Sequence, residues 1–384
     1  MSTEADLVEP ARQPTAEPGT TFDVTPSDEQ KMLIDAVRDF ALRDCRPAAL
    51  GADEACSTPE SLLATAAGLG LTAIGVPESQ GGVLEHRATV TGALITEALA
   101  EGDMGIALAC LAPGGVATAL GLWGDAEQQA AYLAAFAADA PPIAAVAVTE
   151  PRVLFDPFAL QTRATRTTSG DFVLDGVKSL VPRGAEAELL IVAASLDDAP
   201  SLFLLESGSQ GVTAAPDPGM GVRAAATARV SLEAVKLPAR ALMGNSDPQV
   251  YRECVALGRL AWCALAIGTG QAVLDYVSGY VNQRTAFGEP ISNRQSVAFM
   301  VANIAIELES LRLATYRAAG LAETGREFTR EAALARALAA QHAMQIGSDG
   351  IQLLGGHGYT KEHPVERWYR DLRAAGMLEG GLII

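Results

Sequence analysis

From Pro26 onward, apolar residues recur at helical intervals. Ser27 and Gln30 stand at capping-box spacing, and Met32, Leu33, Val37, Phe40 and Ala41 then mark one face, which predicts a helix ending near Arg43. Thr58 and Pro59 open a second helix. Gly68, Gly70, Gly75, Pro77, Gly81 and Gly82 break the chain into a glycine-rich loop, and a third helical stretch begins near Ala88. Similar periods run over Ile106–Leu120 and Asp125–Ala138, so residues 25–140 read as a helical domain, closed by Pro141 and Pro142.

The period then shortens. IAAVAV, FVLDG, LLIVAA, SLFLLE and VSLEAV are β-prone runs separated by Gly, Asp and Pro, which predicts a small antiparallel β domain over 141–245. Helical spacing returns near Pro248. Long helices are expected near 249–287, 292–323 and 329–354, the first stopped by Gly288 and Pro290 and the last two divided by Gly325. Long helices joined by short turns predict a four-helix bundle over 246–384. The expected fold class is α+β, mostly α, with an N-terminal helical domain, a middle antiparallel β domain and a C-terminal four-helix bundle. Residues 1–24, rich in Pro, Thr and acid and without a basic start followed by an apolar run, read as a disordered leader rather than a signal peptide.

Composition narrows the function classes. With 384 residues, 49% hydrophobic but only 5% aromatic, the chain can bury a large core built from Ala, Leu and Val. A formal charge of -18 repels nucleic acid and anionic membranes, and no basic patch offsets it. Charges and glycines interrupt the apolar helices, so no membrane-spanning run is expected. Cys45, Cys56, Cys110, Cys254 and Cys263 are scattered without zinc spacing, which predicts reduced core thiols, a cytoplasmic protein and no metal site.

Three stretches carry candidate chemistry: QRTAFGEPISNRQ (283–295), IQLLGGHGYTKEHPVERWYRD (351–371) and MLEGG (377–381). Each has a plain structural reading. Gly288 can be a helix C-cap, Ser292 with Gln295 a second capping box, and Glu366 with Arg370 an exposed i,i+4 pair. Glu379, between apolar Leu378 and two glycines, is either a solvated acid near the chain's end or a partly desolvated base. With TEP (149–151) and GLTAIGVPESQGG (70–82), these stretches resemble, in order and separation, the acyl-CoA dehydrogenase family.

The resemblance implies an enzyme that uses FAD, lying between two subunits, to dehydrogenate an acyl-CoA thioester, with an electron-transfer flavoprotein as acceptor. It places Glu379 as the base that takes the α-proton, while Thr149, Arg284, Phe287, Gln295, Gln352, Gly355 and Gly356 meet the cofactor. Arg259 and Gly380 would then meet the substrate, although an intrahelical salt bridge is an equal role for Arg259. A guanidinium and glycine-exposed N–H groups suit a pyrophosphate. In the family these are offered to the neighbouring subunit's cofactor.

Departures from the family cluster where a chain holds its own flavin ring. Phe155 stands at the position of a serine, and Arg152 and Leu154 replace small residues. Leu180 and Pro182 stand where the family commonly has a tryptophan and a threonine, Gly381 replaces the threonine after the base, and Ala286 another. The sequence stops at Ile384, so the terminal helix that usually follows the base is not expected. Two readings follow: a self-sufficient dehydrogenase, as a homotetramer, or a flavin-poor partner that completes another subunit's FAD site in a heterotetramer. Heteromeric members of this family include actinobacterial ones acting on steroid side-chain thioesters. A related flavin oxidase is a third reading, for which no residue speaks.

Overall fold

The computed structural model describes residues 25–82 and 88–384; the leader lies outside the described residues. The first helix, α1 (Asp28–Phe40), is capped by the Ser27–Gln30 box as the sequence predicts. It does not end near Arg43. A π turn at Ala41–Cys45 carries it directly into α2 (Arg46–Ala55). Pro47 explains the turn: its ring would clash with a carbonyl one turn back, and an i→i+5 bond from Arg46 N–H to Ala41 O opens room. Then come α3 (Glu60–Gly68), α4 (Thr89–Ala100), α5 (Met104–Trp123) and α6 (Ala126–Phe136).

The middle of the chain forms β1 (Ala144–Ala147), β2 (Arg163–Arg166), β3 (Phe172–Val181), β4 (Leu189–Leu196), β5 (Ala199–Glu206), β6 (Val212–Pro216) and β7 (Ala228–Leu237). The sheet is antiparallel except at β4, which runs parallel to both β1 and β2. Alternation along a strand does not reveal this, because parallel pairing depends on long connections rather than on hairpin turns. In the β4–β5 hairpin, Asp197 and Asp198 hold φ of 51° and 63°, as its two-residue turn requires.

Three long helices follow: α7 (Pro248–Gln283), α8 (Gln295–Glu323) and α9 (Thr329–Leu354). The fourth, α10 (Val365–Leu372), is short. Its Glu366–Arg370 pair is not merely exposed, since Arg370 also grips both carboxylate oxygens of Asp53, at 2.9 Å each. Instead of capping a helix, Gly288 sits with Phe287 at the tip of a hairpin between β8 (Thr285–Ala286) and β9 (Glu289–Pro290), with φ of 88° and 56° respectively. Ser292 caps nothing: a 3₁₀ turn over Ile291–Asn293 intervenes, and α8 starts after Arg294 without a side-chain cap.

Helix α7 runs through the centre, packed by α4, α8 and α9. By length and composition α5 and α7 could cross a membrane, against the sequence expectation, but 83% and 78% of their apolar windows are buried in the protein core. All five cysteines are free; four are core thiols and Cys56 is half-exposed. The last strand, β10 (Gly380–Gly381), leaves the helical region and joins the sheet against β1.

Candidate active site

Strand β10 carries Glu379 into the interior. Val146 faces Gly381 and Ala147 faces Gly380 across the β1–β10 pair. Gly380 has φ +70°, and a Cβ there would stand 2.7 Å from Val148 Cγ2 and 2.9 Å from Val146 O, so glycine is required. Arg259 on α7 grips the Glu379 carboxylate, with Nε at 3.1 and 3.2 Å from the two oxygens and Nη2 at 2.9 Å from Oε1. Their side chains are 20% and 9% exposed. Arg259 therefore pairs across to the Glu379 segment rather than within its own helix, and it also lines a cavity of about 420 Å³ with Phe158, Val255 and Ala256.

The main chain around Glu379 is equally engaged. Its N–H donates to Thr149 Oγ1 at 3.1 Å, and the same hydroxyl donates to Glu379 O at 2.7 Å. Trp262 Nε1 donates to Gly380 O at 2.9 Å, and Arg336 Nη2 to Leu378 O at 2.7 Å. Burial pulls the Arg336 guanidinium below the usual arginine range, with Glu379 opposing that shift. Sequence reasoning missed Arg336. The signal was there: a lone arginine on the buried α9 face of Ala332, Ala335, Ala339 and Ala343.

Behind β1, Lys178 and Glu150 form a fully enclosed pair at 3.0 Å, and Lys178 also donates to Val148 O. Burial lowers Lys178 to about 8 against the pull of Glu150. Burial pushes Glu150 upward, but Lys178 and the N–H groups of Thr162 and Gln161 hold it below the usual carboxylate value. This pair braces the TEP turn.

A second region forms between the β8–β9 hairpin, α8 and the end of α9. Arg284, Ala286, Phe287, Gln352, Gly355 and Gly356 line an open cavity of about 1280 Å³ together with Tyr280, Arg294 and His357. Arg284 is exposed, Phe287 is 95% exposed, and a Cβ on Gly355 or Gly356 would meet nothing within 4 Å. Gln295 is exposed at the start of α8 but does not line the cavity; its neighbours Arg294 and Ser296 do. On the rim, His357, Glu362 and His363 bring ligand-type atoms within 4.8 Å of one another, and Tyr276 hydroxyl bonds His363 Nδ1 at 2.6 Å.

Set against a flavin, the two regions differ. The cavity suits an adenosine and pyrophosphate: an exposed guanidinium, an amide and open glycine backbone converge on it. At the positions expected to meet the ring, the groups are engaged within the chain. Thr149 is occupied by Glu379, and the edge of β1 is paired with β10. Pro182 is buried so near the segment that a Cβ on Gly381 would lie 3.3 Å from its Cγ. Leu180, at a bulge, and Leu154 hold φ of 54° and 53°, and Arg152 stacks 5.6 Å from the Phe155 ring.

Comparison with known proteins agrees in every segment. Residues 27–140 match the acyl-CoA dehydrogenase N-terminal domain, 145–235 the middle domain and 249–382 the C-terminal domain. The chain is 30% identical to the short/branched chain specific acyl-CoA dehydrogenase of Bos taurus mitochondria, over 98% of this chain and 87% of that one. Butyryl-CoA dehydrogenase from Megasphaera elsdenii superposes with a TM-score of 0.84 at 27% identity, covering 92% of this chain and 95% of the other. An acyl-CoA dehydrogenase complexed with FAD from Bacillus anthracis gives a TM-score of 0.81 at 26% identity, over 92% of this chain and 64% of its own.

Proposed function

The chain belongs to the acyl-CoA dehydrogenase family, whose chemistry is the FAD-dependent dehydrogenation of acyl-CoA thioesters, and from that premise we propose that it is the flavin-poor subunit of a heteromeric acyl-CoA dehydrogenase. Arg284, Gln352, Gly355 and Gly356 receive the adenosine and pyrophosphate end of an FAD whose ring lies in an unlike subunit. FAD, when bound, accepts the hydride from the acyl β-carbon and passes electrons to an electron-transfer flavoprotein. This chain's part is electrostatic: a forked guanidinium and backbone N–H groups offset the pyrophosphate charge.

One observation carries the reading. The Thr149 hydroxyl, the expected flavin contact on the TEP turn, makes both of its hydrogen bonds to the main chain of Glu379. Releasing it would leave buried polar groups unpaired, which costs about 1–3 kcal/mol for each group. The carboxylate of Glu379 is likewise held by Arg259, and its N–H, which a base of this family would turn toward a thioester oxygen, is taken. Glu379 is thus a structural acid in this reading, and the reacting base belongs to the unlike subunit.

Flavin content per chain tests it, read from visible absorption of the protein purified alone and after co-expression with an unlike FAD-binding acyl-CoA dehydrogenase subunit. None alone and one flavin per unlike pair is the expected result. One flavin per chain in a stable homotetramer would overturn the reading and return Glu379 to the role of base, with Glu379→Gln then abolishing dehydrogenation.

A further inference from the structure

The residues after Glu379 fill a cradle cut into three helices. Leu382, Ile383 and Ile384 are 2%, 2% and 7% exposed. A Cβ on Gly92 of α4 would stand 3.0 Å from Ile384 Cβ, and one on Gly115 of α5 2.8 Å from Ile383 N and 3.2 Å from Leu382 Cδ1. On α7, a Cβ at Gly258 would stand 3.4 Å from Leu382 O. All three glycines lie inside helices, where alanine, abundant in this chain, is the better helix former. Room for the segment accounts for them.

The same segment is fixed along its length. β10 pairs with β1, Trp262 holds Gly380 O, Arg336 holds Leu378 O and Arg259 holds the Glu379 side chain. An acyl chain whose α-carbon came to Glu379 and which ran on between α4, α5 and α7 would enter this cradle. Leu382, Ile383 and Ile384 already hold that space.

We propose that Leu382, Ile383 and Ile384 are specificity-determining residues of this protomer: their branched aliphatic side chains stand in for the acyl group of a thioester, so the protomer admits no acyl-CoA. This rests on the division of labour proposed above and extends it from flavin to substrate. In the assembly, the thioester binds once per unlike pair.

The test uses an unreactive thioether analogue of a branched-chain acyl-CoA with the full chain. Hydrogen exchange of peptides spanning 378–384 is followed with and without the analogue, and binding is followed by calorimetry. The unmodified chain should show no binding and unchanged protection. The double variant Ile383→Ala/Ile384→Ala should bind the analogue at least tenfold more tightly than the detection limit set by the unmodified chain, and a folded double variant that binds none would overturn the proposal. Loss of protection at 378–384 on adding the analogue to the unmodified chain, or one analogue bound per unmodified chain, would overturn the proposal whether or not the double variant folds. Flavin content on the same sample separates the two ideas. A chain that carries flavin alone yet keeps 378–384 protected and binds no analogue defeats the division of labour, and with it one thioester per unlike pair, but not the exclusion of the acyl group by Leu382, Ile383 and Ile384. A flavin-free chain that binds the analogue defeats this inference alone.

Discussion

Around Arg284 and Gly355–Gly356 the polar groups face about 1280 Å³ of open space, whereas around Glu379 the carboxylate and successive main-chain groups are partnered within the chain. Both regions carry motifs that resemble the family's cofactor site, yet they have opposite fates. A solvated donor remains available, because a ligand need only replace water. A desolvated donor with an internal partner is committed, since freeing it exposes an unsatisfied buried group. Conversely, substitutions at the open region should change ligand binding at little cost in stability, and those at the closed region the reverse.

The sharpest contrast comes from the Lys178–Glu150 pair behind the closed region. Lys178→Ala leaves the buried Glu150 carboxylate without its counter-ion, and should cost about 3–5 kcal/mol in urea unfolding. Glu150→Gln adds a pH signature. The folded value of Glu150 lies below its ordinary 4.5, so its stabilising contribution is present above that pH and is lost as pH falls through the folded value. The difference in Tm between wild type and Glu150→Gln should therefore narrow as the medium is acidified below 4.5. A gap that widened on acidification would contradict the pairing.

Next in size, Leu382→Ala empties part of the cradle and should cost about 2–5 kcal/mol in the same unfolding measurement, with flavin uptake unchanged. Arg284→Ala is the mirror image. It should weaken FAD retention by the assembled protein roughly ten- to hundredfold, the range for a charge-assisted hydrogen bond, while chain stability moves by less than about 0.5 kcal/mol. Smallest is Thr149→Val, which should lower stability by about 1–2 kcal/mol and leave flavin content alone. If Thr149→Val instead removed flavin, the two regions would be one working site and the comparison would collapse.

Legibility followed the range of the interaction. Ser27–Gln30 and Asp125–Gln128 both form complete capping boxes, because each closes within one turn. The Ser292–Gln295 spacing is the same in sequence and empty in the fold, because the intervening 3₁₀ turn is set by the hairpin before it. Arg284, Gln352, Gly355 and Gly356 were found from local motifs and do meet at one cavity. Gln295, chosen on the same ground, falls beside it.

By itself the sequence determined the order of a helical part, a sheet and a second helical part, along with the family motifs and the substitutions at Phe155, Leu180 and Pro182. Those are properties of periods, turns and short spacings. Only the tertiary structure decided what surrounds Glu379, since its partners Arg259 and Thr149 are 120 and 230 residues away and no local pattern records them. Which groups a carboxylate meets depends on what the packing leaves beside it, and here those groups come from α7 and the TEP turn.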